Sequence, residues 1–123
     1  MPPTLVFDQG LGDLFIVRNA GQVLTPGALA SLEFAVLELG VSLIIVMAHE
    51  ACGAVRAAAA TFGGDDVPEG HLAQVLAPLA PAVAVAALRN AGPVIATRVA
   101  DGRLDVVGLS YELASGRTRV AAP

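Results

Sequence analysis

Leu43-Ile-Ile-Val-Met-Ala-His49-Glu-Ala-Cys52-Gly53 decides the reading of this chain. Leu43 to Ala48 is apolar at every position, which predicts a strand covered on both faces, as in a parallel sheet. On that reading Ile45→Asp prevents folding, because it places an unpaired charge between two covered faces. The run ends in a histidine, and a cysteine follows three residues later. In open α/β sheets, ligands bind at the carboxyl ends of the strands, so His49 stands where a site is expected. An alanine-rich helix is predicted from Ala51 to about Thr61, with Cys52 in its first turn. There the positive end of the helix dipole favours the thiolate, the form that binds metal. Zinc accepts such N and S donors, and the His-x-x-Cys spacing lets both side chains turn toward one point. His49 and Cys52 are therefore the candidate metal ligands, and a buried thiol beside a hydrogen-bonded histidine is the alternative. Zinc sites use three or four protein ligands, whereas this chain has one cysteine and two histidines. His71 is a candidate third ligand, although its place after a loop reads better as a surface residue near a helix start.

Working outward, Leu14-Phe-Ile-Val-Arg18 reads as a short strand. Thr25-Pro26 reads as an N-cap followed by proline at the first helical position. The helix that follows carries Leu29, Leu32, Val36 and Leu39 on one face, and Gly40 stops it. Strand, helix and strand make a βαβ unit of right-handed crossover. Phe62 to Glu69 reads as a loop containing Asp65 and Asp66. Two helical pieces follow, broken near Pro78 and Pro81. Pro93 starts a short helix with Ile95 and Val99 on one face, ended by Gly102. Leu104 to Leu113 reads as a strand, Ser115-Gly116 as a turn, and Arg117 to Ala121 as a last, antiparallel strand. The expected fold is a single three-layer α/β domain over 1–123. Its sheet is mainly parallel, with helices flanking it and an antiparallel C-terminal edge strand.

Composition narrows the function. The 123 residues fit one domain with a real core, and 55% of them are hydrophobic. That is more apolar surface than a small domain hides alone, so a homodimer or higher oligomer is expected. The net charge is −4 and the seven basic residues, all arginine, are scattered. Nucleic-acid binding is therefore not expected. The apolar stretch Leu72 to Leu88 contains Gln74, Pro78 and Pro81, which favours core helices over a membrane span. A single cysteine excludes an internal disulfide, and with no signal peptide legible at Met1 the expected compartment is a reducing cytoplasm.

Other candidates are weaker. Gly10-Leu-Gly12 precedes a strand and is no dinucleotide fingerprint. Ser31 and Ser110 lack a nucleophile-elbow context. Asp8, Asp13 and Arg18 gather near the first strand, where an acid–guanidinium pair or ordinary surface ion pairs are the options.

Several stretches together resemble the β-class carbonic anhydrases. Phe7 to Gly21 is similar to the family's segment after its first metal ligand, and Ala30-Ser-Leu-Glu-Phe-Ala-Val36 to the helix that follows. Ala48-His-Glu-Ala-Cys-Gly-Ala-Val55 resembles the family's Gly-His-x-x-Cys-Gly-Ala-Val signature, with Ala48 in place of glycine. Gly102 to Gly108 and Tyr111 to Gly116 resemble its C-terminal strand and hairpin. The resemblance implies that His49 and Cys52 are two of the family's zinc ligands. It also implies that Phe15, Ala20 and Phe34 line an apolar substrate pocket, where the family carries a valine-like residue and a tyrosine at the last two places. The reaction implied is reversible hydration of carbon dioxide by a zinc-bound hydroxide, in dimers or dimers of dimers.

The family's Cys-x-Asp-Ser-Arg motif, with its second cysteine ligand and its Asp–Arg pair, has no counterpart in this sequence. Nor do the strand before it and the N-terminal helices. A truncated copy of a normal enzyme and a compact natural variant with a rebuilt site both account for this. Met1 and a self-consistent composition favour the variant, whose first strand must then pair with a new neighbour such as the Leu43 strand. The expected function is a carbonic-anhydrase-like protein with an incomplete zinc site, weak or inactive toward carbon dioxide. A metal-free hydratase or hydrolase on a small electrophile, with Cys52 and Asp8 as catalytic groups, is the repurposed form. The alternatives are a zinc-dependent dehydratase with a rebuilt ligand set, completed by His71, a carboxylate such as Asp8 or a partner chain, and a non-catalytic binding or assembly module.

Overall fold

The computed structural model describes residues 1–63, 69–72 and 81–122. Asp65, Asp66 and the break near Pro78 lie outside the described residues. Helices α1 (Pro3–Val6), α2 (Pro26–Glu38), α3 (Gly53–Phe62), α4 (Pro81–Arg89) and α5 (Gly92–Ala100) accompany strands β1 (Leu43–His49), β2 (Asp105–Tyr111) and β3 (Thr118–Ala122). The sheet order is β1-β2-β3. β1 and β2 run parallel, with Ile44 opposite Val106 and His49 opposite Tyr111. β3 returns antiparallel to β2. The fold is therefore α/β with a mixed sheet, its antiparallel edge where expected.

The local signals explain most elements. The Thr25 hydroxyl accepts from the Ala28 amide at 3.2 Å, and Gly40 leaves α2 at φ 69°. The buried face of α2 is Ala28, Ala35 and Val36. Leu29 and Leu32 pack beside the core, but Leu39 is exposed, so the predicted stripe is rotated. Val36, Ile44, Val46, Ala84, Val85, Leu88, Ile95, Leu104 and Val106 form one core, drawn from α2, α4, α5 and one face of the sheet. Fully burying a side chain such as Leu88 or Ile95 contributes about 1.5–3 kcal/mol.

Two expectations are corrected. Leu14–Arg18 is not a strand: it has no regular secondary structure and makes no backbone hydrogen bond to any described residue. The anticipated βαβ unit is therefore not formed, and the parallel crossover instead joins β1 to β2. Nor does Leu14–Arg18 pair with Leu43–His49, because β1 bonds only to β2 among the described residues. The second correction concerns Leu43 to Ala48. Ile44 and Val46 are buried, but Ile45, Met47 and Ala48 are half-buried and Leu43 is 48% exposed. One face of β1 meets the helical core and the other is only partly covered, so Ile45 is not the fold-breaking position.

The ladder shows what β1 lacks. The Ser42 carbonyl accepts from the Asp105 amide at 3.0 Å, and the Glu50 amide donates to the Tyr111 carbonyl at 3.1 Å. Since backbone groups alternate sides along a parallel pair, Ile44, Val46 and Ala48 turn theirs to β2. Leu43, Ile45, Met47 and His49 turn theirs to the open edge. There the Gln22 side-chain amide donates to the Met47 carbonyl at 2.6 Å, from a backbone at φ 57°.

β2 has a similar loose end, and a side chain closes it. β3 reaches only as far as Gly108, leaving the Val106 carbonyl without a strand partner. Arg89, the last residue of α4, donates to that carbonyl from Nη2 at 2.9 Å. It also stands 3.5 Å from the Asp105 carboxylate. Arg89→Ala is expected to lower stability by about 1–3 kcal/mol, the cost of a buried acceptor left unmet. Urea unfolding of both proteins checks this, and an unchanged midpoint would refute it.

Candidate functional site

The site begins where β1 ends. His49 is its last residue, and the chain turns through Glu50 and Ala51 into α3, with Cys52 at the N-cap. Ala51 holds φ 53°, a left-handed conformation that costs a non-glycine residue roughly 1–2 kcal/mol. The turn is thus strained where it carries the two donors. His49 Nδ1 lies 2.9 Å from the Glu50 carbonyl oxygen. A carbonyl only accepts, so Nδ1 carries the proton in this contact and Nε2 presents its lone pair. A backbone carbonyl behind the ring is the arrangement that orients a metal-binding histidine. Both His49 and Cys52 are half-buried.

A cavity of about 390 Å³ adjoins them. It is lined by the segment Leu14–Asn19, by β1 and by Ala28, Leu32 and Ala35 of α2. Phe15, His49 and Cys52 all line it, as do Asp13 and Arg18. Asp8, Ala20 and Phe34 do not belong to the lining. Asp8 and Ala20 are exposed on the surface, and Phe34 is 51% exposed. His71 is also exposed. Among the described residues, no three His, Cys, Asp or Glu side chains stand close enough together to hold a metal. Residues that the sequence alone does not flag are Gln22 and Met47, which also line the cavity; the glutamine's reach of 25 positions along the chain leaves no local signal.

The sequence profile of the family described as carbonic anhydrase matches residues 1–88. Carbonic anhydrase 2 of Mycobacterium tuberculosis is 38% identical, over 92% of this chain and 65% of its own length. The chain belongs to the carbonic anhydrase family. The carbonic anhydrase of Mycolicibacterium smegmatis is 34% identical, over 94% of this chain and 66% of its own length. Solved β-class structures share the fold. Carbonic anhydrase from Streptococcus mutans superposes at TM-score 0.67 with 26% identity, covering 98% of this chain and 74% of that one. A tetrameric β-carbonic anhydrase of Sordaria macrospora superposes at TM-score 0.76 with 23% identity, over 98% of this chain and 74% of that one.

The β-class carbonic anhydrase fold is thus shared over nearly all of this chain, while the chain spans about two thirds of its curated relatives. Zinc is the metal the family implies. The described donors fit it only in part: a nitrogen and a sulfur at one turn, with a catalytic zinc needing three protein ligands and an open position.

Proposed function

We propose that residues 1–123 retain the carbonic anhydrase fold with half of a metal site, and that by themselves they hydrate carbon dioxide weakly or not at all. The observation that carries this reading is the isolation of His49 and Cys52 from any third donor among the described residues. Two ligands bind zinc loosely, because each missing bond leaves its share of the ion's hydration uncompensated. The cavity supports a small, largely apolar ligand. Phe15, Leu14, Val17, Ile45 and Met47 line it, a composition that suits compact molecules with little capacity for hydrogen bonding.

The expected result is less than one zinc per chain after dialysis, together with carbon dioxide hydration far below that of a relative such as the Mycobacterium tuberculosis enzyme. Elemental analysis and stopped-flow hydration measure the two. One zinc per chain with family-like turnover would refute the proposal and establish the alternative, a zinc-dependent dehydratase whose third ligand comes from outside the described donors.

A second reading rests on Cys52 itself, which lines the same cavity as Phe15. In it the thiolate acts without metal on a small apolar electrophile. That reading predicts a hydrolase or hydratase activity lost in Cys52→Ala and indifferent to chelator. A homodimer in a cytoplasmic setting completes the proposal, and a folded chain with neither metal nor turnover would leave a binding or assembly module.

A further inference from the structure

Met1–Val23 is tied to the body of the chain at one point. Among the described residues, its one hydrogen bond reaching beyond Thr25 runs from the Gln22 side-chain amide to the Met47 carbonyl, at 2.6 Å. No salt bridge joins it to another described residue, and none of its residues is buried. Phe15, Ile16 and Val17 stay 44%, 41% and 37% exposed. Segments with few buried apolar groups and few hydrogen bonds open at far less cost than global unfolding. We propose that Met1–Val23 is a flap that gates the cavity at His49 and Cys52, and that Gln22 is its latch.

The latch is built on a turn that holds itself together. The Asn19 carboxamide donates to the Val23 carbonyl at 2.7 Å and accepts from the Val23 amide at 2.9 Å. Inside that ring Gly21 and Gln22 are both left-handed, at φ 74° and φ 57°. Glutamine is disfavoured in this conformation, and residues so held gather at clamps and switches. The turn Ala20–Gln22 packs against both β1 and α3, the elements that meet at the donor turn. The acceptor is free to receive it, because the Met47 carbonyl lies on the edge of β1 away from β2.

The flap matters to the site because it is part of the cavity. Asp13 to Asn19, Gly21 and Gln22 share the lining with β1 and Cys52. When they swing away, that part of the lining goes with them. His49 stays on β1, which is still paired to β2, and Cys52 stays at the start of α3. The closed cavity takes compact apolar molecules, and the open one admits bulkier ones to the thiol. Loss of the one neutral hydrogen bond is expected to multiply the open population about 2- to 10-fold.

The inference rests on the reading of this cavity as the ligand site, but its test uses the 123-residue chain without metal, so a failed latch and a failed zinc site give different results. Trypsin cutting after Arg18, followed by intact mass, reads the open population, since cleavage tracks the opened form. In the wild type this cut is expected to depend on urea less steeply than the cut after Arg98 of α5, because opening the flap exposes less surface than unfolding. Gln22→Ala and Gln22→Glu are each expected to speed the Arg18 cut about 2- to 10-fold. The glutamate keeps the size of the side chain and, at neutral pH, has no proton to donate. Arg89→Ala, which loosens the body of the fold through the Val106 carbonyl, is expected to speed the Arg98 cut and leave the Arg18 cut unchanged. Cys52 is the one thiol, so its labelling by N-ethylmaleimide and by fluorescein maleimide reads access to the cavity. Both Gln22 variants are expected to raise the rate of the bulky reagent relative to the small one, a ratio that cancels any change in the thiol itself. Equal urea dependence of the two cuts, an Arg18 cut that either Gln22 variant leaves unchanged or that Arg89→Ala speeds, or an unchanged labelling ratio would each overturn the proposal.

Discussion

Ile95→Asp is expected to leave the chain unfolded. Ile95 is 0% exposed, on α5, within the core built from Val36, Ile44, Val85, Leu88 and Val106. None of those neighbours offers a hydrogen-bond donor from its side chain, and no polar or charged side chain is buried among the described residues. An ionised carboxylate placed there loses its hydration with nothing in return, an effective cost of several kcal/mol even after relaxation. A domain of this size holds about 5–15 kcal/mol in total. Ile95→Ala separates loss of packing from burial of charge. It is expected to cost about 2–5 kcal/mol and to fold, with a lowered urea midpoint. Circular dichroism and urea titration measure both. An Asp variant with the wild-type midpoint would mean that α5 does not stand on the core.

That experiment also tests how far the core was legible in the chain. The spacing of Ile95 and Val99 puts them on one helix face, and Gly102 marks its end, because helix periodicity and glycine chemistry are local properties. The same holds for Thr25 as a cap and for the C-terminal hairpin. Leu14–Arg18 departs from its local pattern for the opposite reason. A run of Leu, Phe, Ile and Val has strand character, but a strand exists only when a neighbour completes its ladder, and among the described residues none does. Leu43–Ala48 is covered mainly on one face on the same account: an apolar run shows what a strand is suited to, not which layers are present around it. The spacing of His49 and Cys52 at a strand end is enough to place both at one turn beside the cavity. The clasp of Gln22 on Met47 and the strain at Ala51 are not legible in this way, since both arise from how distant segments meet.

His49→Ala and Cys52→Ala are each expected to lower zinc affinity by more than about 100-fold. Loss of a group that merely orients a ligand typically costs 10–100-fold, and in the proposed site these two residues, at the β1–α3 turn, are themselves the nitrogen and sulfur donors. With two donors present, removing either leaves a single contact that water competes with directly. The geometry favours His49 as the anchor. Its Nδ1 is held by the Glu50 carbonyl at 2.9 Å, so Nε2 is aimed before metal arrives. Cys52 has no side-chain capping bond at the start of α3, which leaves its sulfur free to turn. Competition with a chromogenic chelator at neutral pH reads the affinities. Phe15→Ala serves as the comparison, because it opens the same cavity without removing a donor, and its zinc affinity is expected to match wild type. Cys52→His, which exchanges one donor for another that zinc accepts, is expected to recover most of what Cys52→Ala loses. If Cys52→Ala binds zinc as the wild type does, the thiol is no ligand, and the single histidine would leave the turn with no metal site to complete.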